Sequence, residues 1–252
     1  MKNLIEVINK LKRQNKIVGF KTSFEDEGVC FEDFINLRIA TASCRLPLYV
    51  KIGGCEAKTD IINCNNYNID GVVAPMIESE FAVEKFINCC DSVGFEGKRF
   101  INVETKTCVS SLEDILGSPS SLKIDGFTIG RSDLVASLGL SKKSVNSSEI
   151  YDVVRESFQK IKMFDFVTTM GGNLTPDSKK FIENLFTEGL LDKVETRNVI
   201  MKLSEENIFR IDSIIEDALF IEACILEARA KRTKLAYDQN IVRLKNIKGR
   251  IR

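Results

Sequence analysis

The chain has 252 residues, 44% of them apolar, and its 36 basic and 36 acidic side chains cancel. That length matches the roughly 250 residues of a single (β/α)8 barrel and supplies a large core, while the neutral balance provides no global attraction to nucleic acid or an anionic membrane and leaves a small molecule as the default partner. Histidine is absent, which excludes imidazole bases, imidazole nucleophiles and histidine-ligated metals.

The first residues, Met1-Lys2-Asn3-Leu4-Ile5-Glu6-Val7, lack the uninterrupted apolar stretch of a secretory signal, and no later segment approaches the roughly 18 apolar residues of a membrane span, so the expected location is the cytoplasm. The eight cysteines form no paired CxxC knuckles, and most of them read as buried small hydrophobes. Short apolar or β-branched runs recur at 18–24, 48–52, 71–76, 100–104, 126–131, 166–170 and 194–202, with successive starts 23 to 40 residues apart. The intervening segments read as helices, for example 79–90 with Phe81, Val83, Phe86 and Ile87 on one face, and 175–191 with Phe181, Ile182, Leu185 and Phe186. This is the βαβ rhythm of a parallel sheet, whose strands are continuously apolar because both faces are buried.

The expected fold is an α/β barrel of TIM (β/α)8 type, but the runs number seven. Either a strand is hidden in the N-terminal region, where Glu25-Asp26-Glu27-Gly28 interrupts the pattern, or a unit is missing or supplied otherwise. Beyond Ser204 the pattern becomes one long helix, with Ile208, Ile211, Ile214, Ile215, Leu219, Ala223 and Leu226 at spacings of three and four. The domain reading is therefore a barrel over 1–204 and a helical extension over 205–252 that seeks a partner, which points to homo-oligomerisation. Residues 230–252 carry eight basic side chains against the single acid Asp238, and are read as a solvated or subunit-crossing tail in preference to a phosphate binder.

Catalytic groups of such a barrel sit at the carboxyl ends of the strands. Two runs end there on lone carboxylates, Glu104 and Asp133. Two carboxylates, completed by water and ligand oxygens, are a common way to hold Mg²⁺ or Mn²⁺, whereas zinc is disfavoured without histidine or a cysteine knuckle. Other groups at this rim are Glu25, Asp26 and Glu27, then Lys51 before Gly53-Gly54-Cys55-Glu56, Glu78, Arg131, the turn Gly171-Gly172-Asn173, Glu195 and Arg197. Arg131 either pairs with Asp133 or meets an anionic substrate. Glu78 orients its loop or caps the next helix, Thr175 and Pro176 open a helix, and Glu195 with Arg197 reads as a structural pair.

The segments Val50-Lys51-Ile52-Gly53-Gly54-Cys55-Glu56-Ala57, Gly71-Val72-Val73-Ala74-Pro75-Met76-Ile77-Glu78-Ser79, Ile101-Asn102-Val103-Glu104-Thr105 and Thr128-Ile129-Gly130-Arg131-Ser132-Asp133-Leu134 resemble the HpcH/HpaI aldolase and citrate lyase beta-subunit family, most clearly over residues 48–140. The resemblance implies a pyruvate- or phosphoenolpyruvate-type TIM barrel that binds Mg²⁺, or a similar ion such as Mn²⁺, through Glu104 and Asp133. A small 2-keto or hydroxy acid would chelate that ion, with its carboxylate on the amides of Ser132 and Asp133. Gly130, Arg131 and Glu78 join Lys51 as substrate-binding candidates; Lys51, Glu104 and Asp133 are the catalytic ones. The implied activity is a metal-dependent carbon–carbon lyase or aldolase acting through an enolate. Alternatives are citryl- or malyl-CoA-type cleavage of an acyl-CoA, and a catalytically weakened barrel serving as a binding or assembly subunit. Two departures stand out. Lys51 occupies the position of a family arginine, where it meets the oxyanion or forms a Schiff base. No histidine base exists, so the proton falls to a metal-bound water or to Glu25, Asp26 or Glu27. The family also implies a dimer, trimer or hexamer built through terminal helices.

Overall fold

The computed structural model describes residues 2–15, 17–25 and 28–248. Eight strands close into a barrel in sequence order: β1 (Ile17–Ser23), β2 (Leu48–Lys51), β3 (Gly71–Ala74), β4 (Lys98–Val103), β5 (Gly126–Gly130), β6 (Val167–Gly171), β7 (Lys193–Glu195) and β8 (Val199–Lys202). Neighbours from β1 to β7 pair in parallel, whereas β8 runs antiparallel to both β7 and β1.

The eighth strand is therefore not hidden in the N-terminal region. It arises because the run read as one strand over 194–202 folds back at Thr196-Arg197-Asn198. The Val199 amide donates to Thr196 Oγ1 at 3.2 Å, and the Thr196 amide donates to the Val199 carbonyl at 2.9 Å. Asn198 then exchanges hydrogen bonds with β1: its carbonyl accepts the Lys21 amide at 2.9 Å, and its Nδ2 donates to the Lys21 carbonyl at 3.0 Å. The barrel thus closes with a hairpin where a crossover helix would otherwise be needed.

Ten helices are described: α1 (Lys2–Asn15), α2 (Phe31–Ser43), α3 (Lys58–Asn66), α4 (Glu80–Ser92), α5 (Lys106–Ser110), α6 (Leu112–Gly117), α7 (Arg131–Ser137), α8 (Ser148–Lys162), α9 (Lys179–Thr187) and α10 (Ile211–Lys248). Ser79 caps α4 by accepting the Ala82 amide at 3.2 Å, and α4 buries Val83, Phe86 and Ile87 as its periodicity predicts. Phe81, assigned to the same face, is 62% exposed, because it lies about 200° from Val83 around the helix. The segment 175–191 opens with Pro176 in a single 3-10 turn and continues as α9, which buries Phe181, Ile182 and Leu185.

An aspartate sets the register at the amino ends of three strand pairs. Asp70 accepts the Leu48 amide at 2.9 Å, Asp125 the Arg99 amide at 2.8 Å and Asp192 the Thr168 amide at 2.8 Å. Each carboxylate precedes one strand and ties down the start of its neighbour. Each also binds a cation: Arg38, Lys98 and Lys162 respectively.

The 38 residues of α10 form one rod about 57 Å long. Ile211, Ile214, Ile215, Ala218 and Ile221 are buried against the barrel. Further on, Arg229 and Arg232 pair with Asp33 of α2. Beyond that anchor Leu235, Tyr237, Val242, Leu244 and Ile247 are exposed. All eight cysteines are free thiols, and burial pushes Cys90 and Cys108 up to about 12, as befits core residues rather than nucleophiles. Among the described residues no helix is long and apolar enough to cross a membrane.

Candidate active site

A cavity of about 420 Å³ opens at the carboxyl ends of the strands. It brings together Lys51, Glu104, Gly130, Ser132 and Asp133 from three separate motifs of the sequence. Glu104 follows the last residue of β4 and is 1% exposed. Its Oε2 accepts Asn102 Nδ2 at 3.0 Å and its Oε1 accepts the Met76 amide at 3.1 Å. Met76 is held at φ 50°, a left-handed conformation costly for a side-chain-bearing residue, in the loop that turns its amide toward the carboxylate.

Burial raises the Glu104 pKa above the usual carboxylate range; the Lys51 charge opposes that rise and the Asp133 charge adds to it. Lys51, at the end of β2, and Asp133, in the first turn of α7, are therefore both within electrostatic reach of Glu104. A buried carboxylate facing a second one is an arrangement that a divalent cation would relieve, and both offer the hard oxygen donors that Mg²⁺ or Mn²⁺ takes. No cluster of three or more His, Cys, Asp or Glu ligands exists among the described residues. An ion at Glu104 and Asp133 would draw its remaining ligands from water and a bound small molecule, so the residues fit the two-carboxylate centre.

The exit of β6 shapes the other wall. Gly172 has φ 82°, and a Cβ on it would lie 2.4 Å from the Ser132 nitrogen and 2.5 Å from the Arg131 nitrogen, so only glycine allows this loop to approach the start of α7. Arg131 does not enter the cavity. It is fully buried and donates to the carbonyls of Gly171, Val145 and Gly172 at 3.2 Å each and to Asn146 Oδ1 at 2.6 Å, with its guanidinium 5.0 Å from the centre of the Phe181 ring. Burial lowers its pKa to about 10. Its place is that of a clamp between α7 and the β6 exit, in contrast to the expected contact with Asp133 or an anion.

Glu78 is exposed and accepts the Thr105 hydroxyl at 2.6 Å, while Thr105 caps α5 through the Cys108 amide at 3.1 Å. It braces the rim outside the cavity. Glu25 lies beside the Gly53 turn, and Asp26 and Glu27 fall outside the described residues.

The structure adds residues that the sequence reading passed over. Lys21 and Asn102 face the cavity, two positions before Ser23 and Glu104 on the same strand faces, a period-2 signal that was available. Lys21 donates to Glu195, the carboxylate that the sequence reading paired with Arg197. Asn102 Oδ1 is buried without a hydrogen-bond partner. Leu219 and Glu222 reach the cavity from α10, and no local signal in the sequence places that helix across the barrel mouth.

A sequence model of the family described as HpcH/HpaI aldolase/citrate lyase matches residues 39–169, just over half of the chain. Curated protein sequences yield no match. Among solved structures, the chain is similar to an HpcH/HpaI aldolase from Desulfitobacterium hafniense DCB-2, with TM-score 0.61 and 12% identity over 78% of this chain and 82% of that one. It is also similar to an HpcH/HpaI aldolase/citrate lyase family protein from Burkholderia cenocepacia J2315, with TM-score 0.58 and 14% identity over 92% and 99%. A third is the protein CitE from Mycobacterium tuberculosis in complex with magnesium and acetoacetate, with TM-score 0.52 and 17% identity over 76% and 78%. At these identities the likeness is one of fold.

Proposed function

The chain belongs to the HpcH/HpaI aldolase/citrate lyase family, and from that premise we propose that it is a divalent-metal-dependent carbon–carbon lyase that makes or consumes the enolate of pyruvate or a related small 2-keto acid. The observation that carries this reading is the buried Glu104 carboxylate, with Asp133 and Lys51 in electrostatic reach, all lining the cavity at the barrel mouth. Glu104 and Asp133 would hold Mg²⁺ or Mn²⁺. When bound, such an ion supplies Lewis-acid stabilisation of an enolate oxygen. The Lys51 ammonium adds positive charge on the same side of the cavity, and the amides of Ser132 and Asp133 seat the carboxylate of the acid. The magnesium and acetoacetate in the CitE complex support a metal-plus-keto-acid reading for this fold.

Thermal unfolding tests it directly. Oxalate, a mimic of the pyruvate enolate, should raise the melting temperature by about 5 to 10 °C at a hundredfold excess over its Kd when Mg²⁺ or Mn²⁺ is present, and by nothing in chelator. The shift should shrink as the pH is lowered toward the carboxylate range. The ion needs Glu104 ionised, and burial makes that carboxyl hold its proton to higher pH than usual. Equal shifts with and without metal would remove the reading.

We further infer that residues 205–252 form an assembly arm, because apolar side chains of α10 are left exposed beyond its Asp33 anchor. Light scattering should give a multiple of 28.4 kDa, and truncation after Ala230 should yield a folded monomer. A monomeric full-length chain contradicts this.

A further inference from the structure

A carbon–carbon lyase of this kind must move a proton between oxygen and carbon, and the chain has no histidine to do it. Resting on the function proposed above, we propose that Glu195, held by Lys21, is the proton-transferring group of this site.

Glu195 ends β7 and is 4% exposed, yet it faces the ligand cavity, as does Lys21 of β1, whose ammonium donates to Glu195 Oε1. Between Glu104 on β4 and Glu195 on β7 stand the ends of β5 and β6. Those strands finish on glycines that pair in register, Gly130 with Gly171. A Cβ on Gly130 would lie 2.9 Å from Glu104 Oε2, and a Cβ on Gly171 would lie 3.1 Å from Glu195 Oε1. The two carboxylates therefore flank a strip of bare backbone that any side chain would fill. A small acid lying across this strip, anchored at the Glu104 side, presents its reacting carbons to Glu195. The same cavity contains the buried, unpartnered acceptor Asn102 Oδ1, which calls for a donor from a bound ligand.

Among the described residues, the other carboxylates near the site are worse placed. Glu25 lies by the Gly53 turn outside the cavity, Glu104 and Asp133 are committed to the ion, and Glu222 approaches from α10 over the mouth.

In the cleavage direction Glu195 takes the proton of the substrate hydroxyl. The O–H electron pair forms the aldehyde C=O, the adjacent carbon–carbon bond breaks, and its electrons pass into the enolate. The Glu195 carboxylic acid then returns the proton to the enolate carbon, forming the methyl group of pyruvate. Lys21 remains an ammonium throughout and fixes the orientation of the carboxylate.

The test is exchange of pyruvate methyl protons in D2O with Mg²⁺, followed by proton NMR alongside the Mg²⁺–oxalate thermal shift. Glu195→Gln should lower the exchange kcat by about 10²-fold or more, with KM and the oxalate shift within about twofold of wild type. Glu195→Asp keeps a partner for Lys21 but withdraws the carboxylate by one methylene; it should fold as wild type and exchange at least tenfold more slowly. Wild-type exchange in either folded variant overturns the assignment. A wild-type protein that binds Mg²⁺ and oxalate but exchanges no methyl proton also overturns it, whereas one that binds neither sinks the underlying function as well.

Discussion

Glu104→Gln should abolish the Mg²⁺–oxalate thermal shift and reduce metal-dependent turnover by about 10³-fold, the scale of losing several kcal/mol of charge stabilisation, while leaving the metal-free protein nearly as stable as wild type. The two halves of that result have one cause. Burial and the Asp133 charge raise the Glu104 pKa, so the native state holds this proton more tightly than the unfolded chain does. Its stability contribution is therefore full below the ordinary value of 4.5 and is lost as the pH rises through the raised native value. At neutral pH the ionised carboxylate is a net cost, and glutamine removes it. Against this gain, the amide keeps an acceptor for only one of the two donors, Asn102 Nδ2 and the Met76 amide, a loss of about 1 kcal/mol. A Glu104→Gln variant that still responds to Mg²⁺ and oxalate would show that the ion is held elsewhere.

That a carboxylate at this point is a liability without a ligand explains why it could be picked out of the sequence. An acid at the end of a continuously apolar run contradicts its surroundings, and such local conflicts mark functional positions. Glu104 and Asp133 stand out as site candidates in this way, each following an apolar strand, whereas Lys51 takes its role from the family resemblance. Strands β1 to β6 were legible because burial on both faces leaves unbroken apolar runs. The closing hairpin was not. The stretch 194–202 turns at Thr196-Arg197-Asn198 without glycine or proline, and the bonds that fix the reversal reach across to Lys21, 177 residues away from Asn198. No local pattern carries that information. Glu222 escaped notice for the same reason, since the path of α10 across the barrel mouth is set by packing at Ile211, Ile214 and Ile221 rather than by anything near the site.

Arg131 shows how adjacency in sequence misleads at a strand-to-helix junction. It stands two residues before Asp133, but both lie in the first turn of α7, where successive side chains diverge by about 100°. Asp133 turns to the cavity; Arg131 turns outward against Phe181. Arg131→Met should accordingly cost about 3 to 5 kcal/mol, which for a chain of this size lowers the melting temperature by roughly 10 °C. Methionine replaces much of the aliphatic volume but leaves the carbonyls of Gly171, Gly172 and Val145 without the donors that now satisfy them. Arg131→Lys should recover little, because one ammonium cannot span acceptors arranged for a planar fork. The consequence extends to the site itself. Gly171 abuts Glu195 and Gly172 abuts the Ser132 amide, so a clamp bonded to both carbonyls holds the two sides of the cavity in fixed relation. Oxalate affinity should therefore weaken together with stability in Arg131→Met, and recover on cooling as the loop re-forms. If Arg131 instead met the ligand directly, affinity would collapse at every temperature while the melting temperature stayed within about 2 °C of wild type, and the clamp would have to be abandoned.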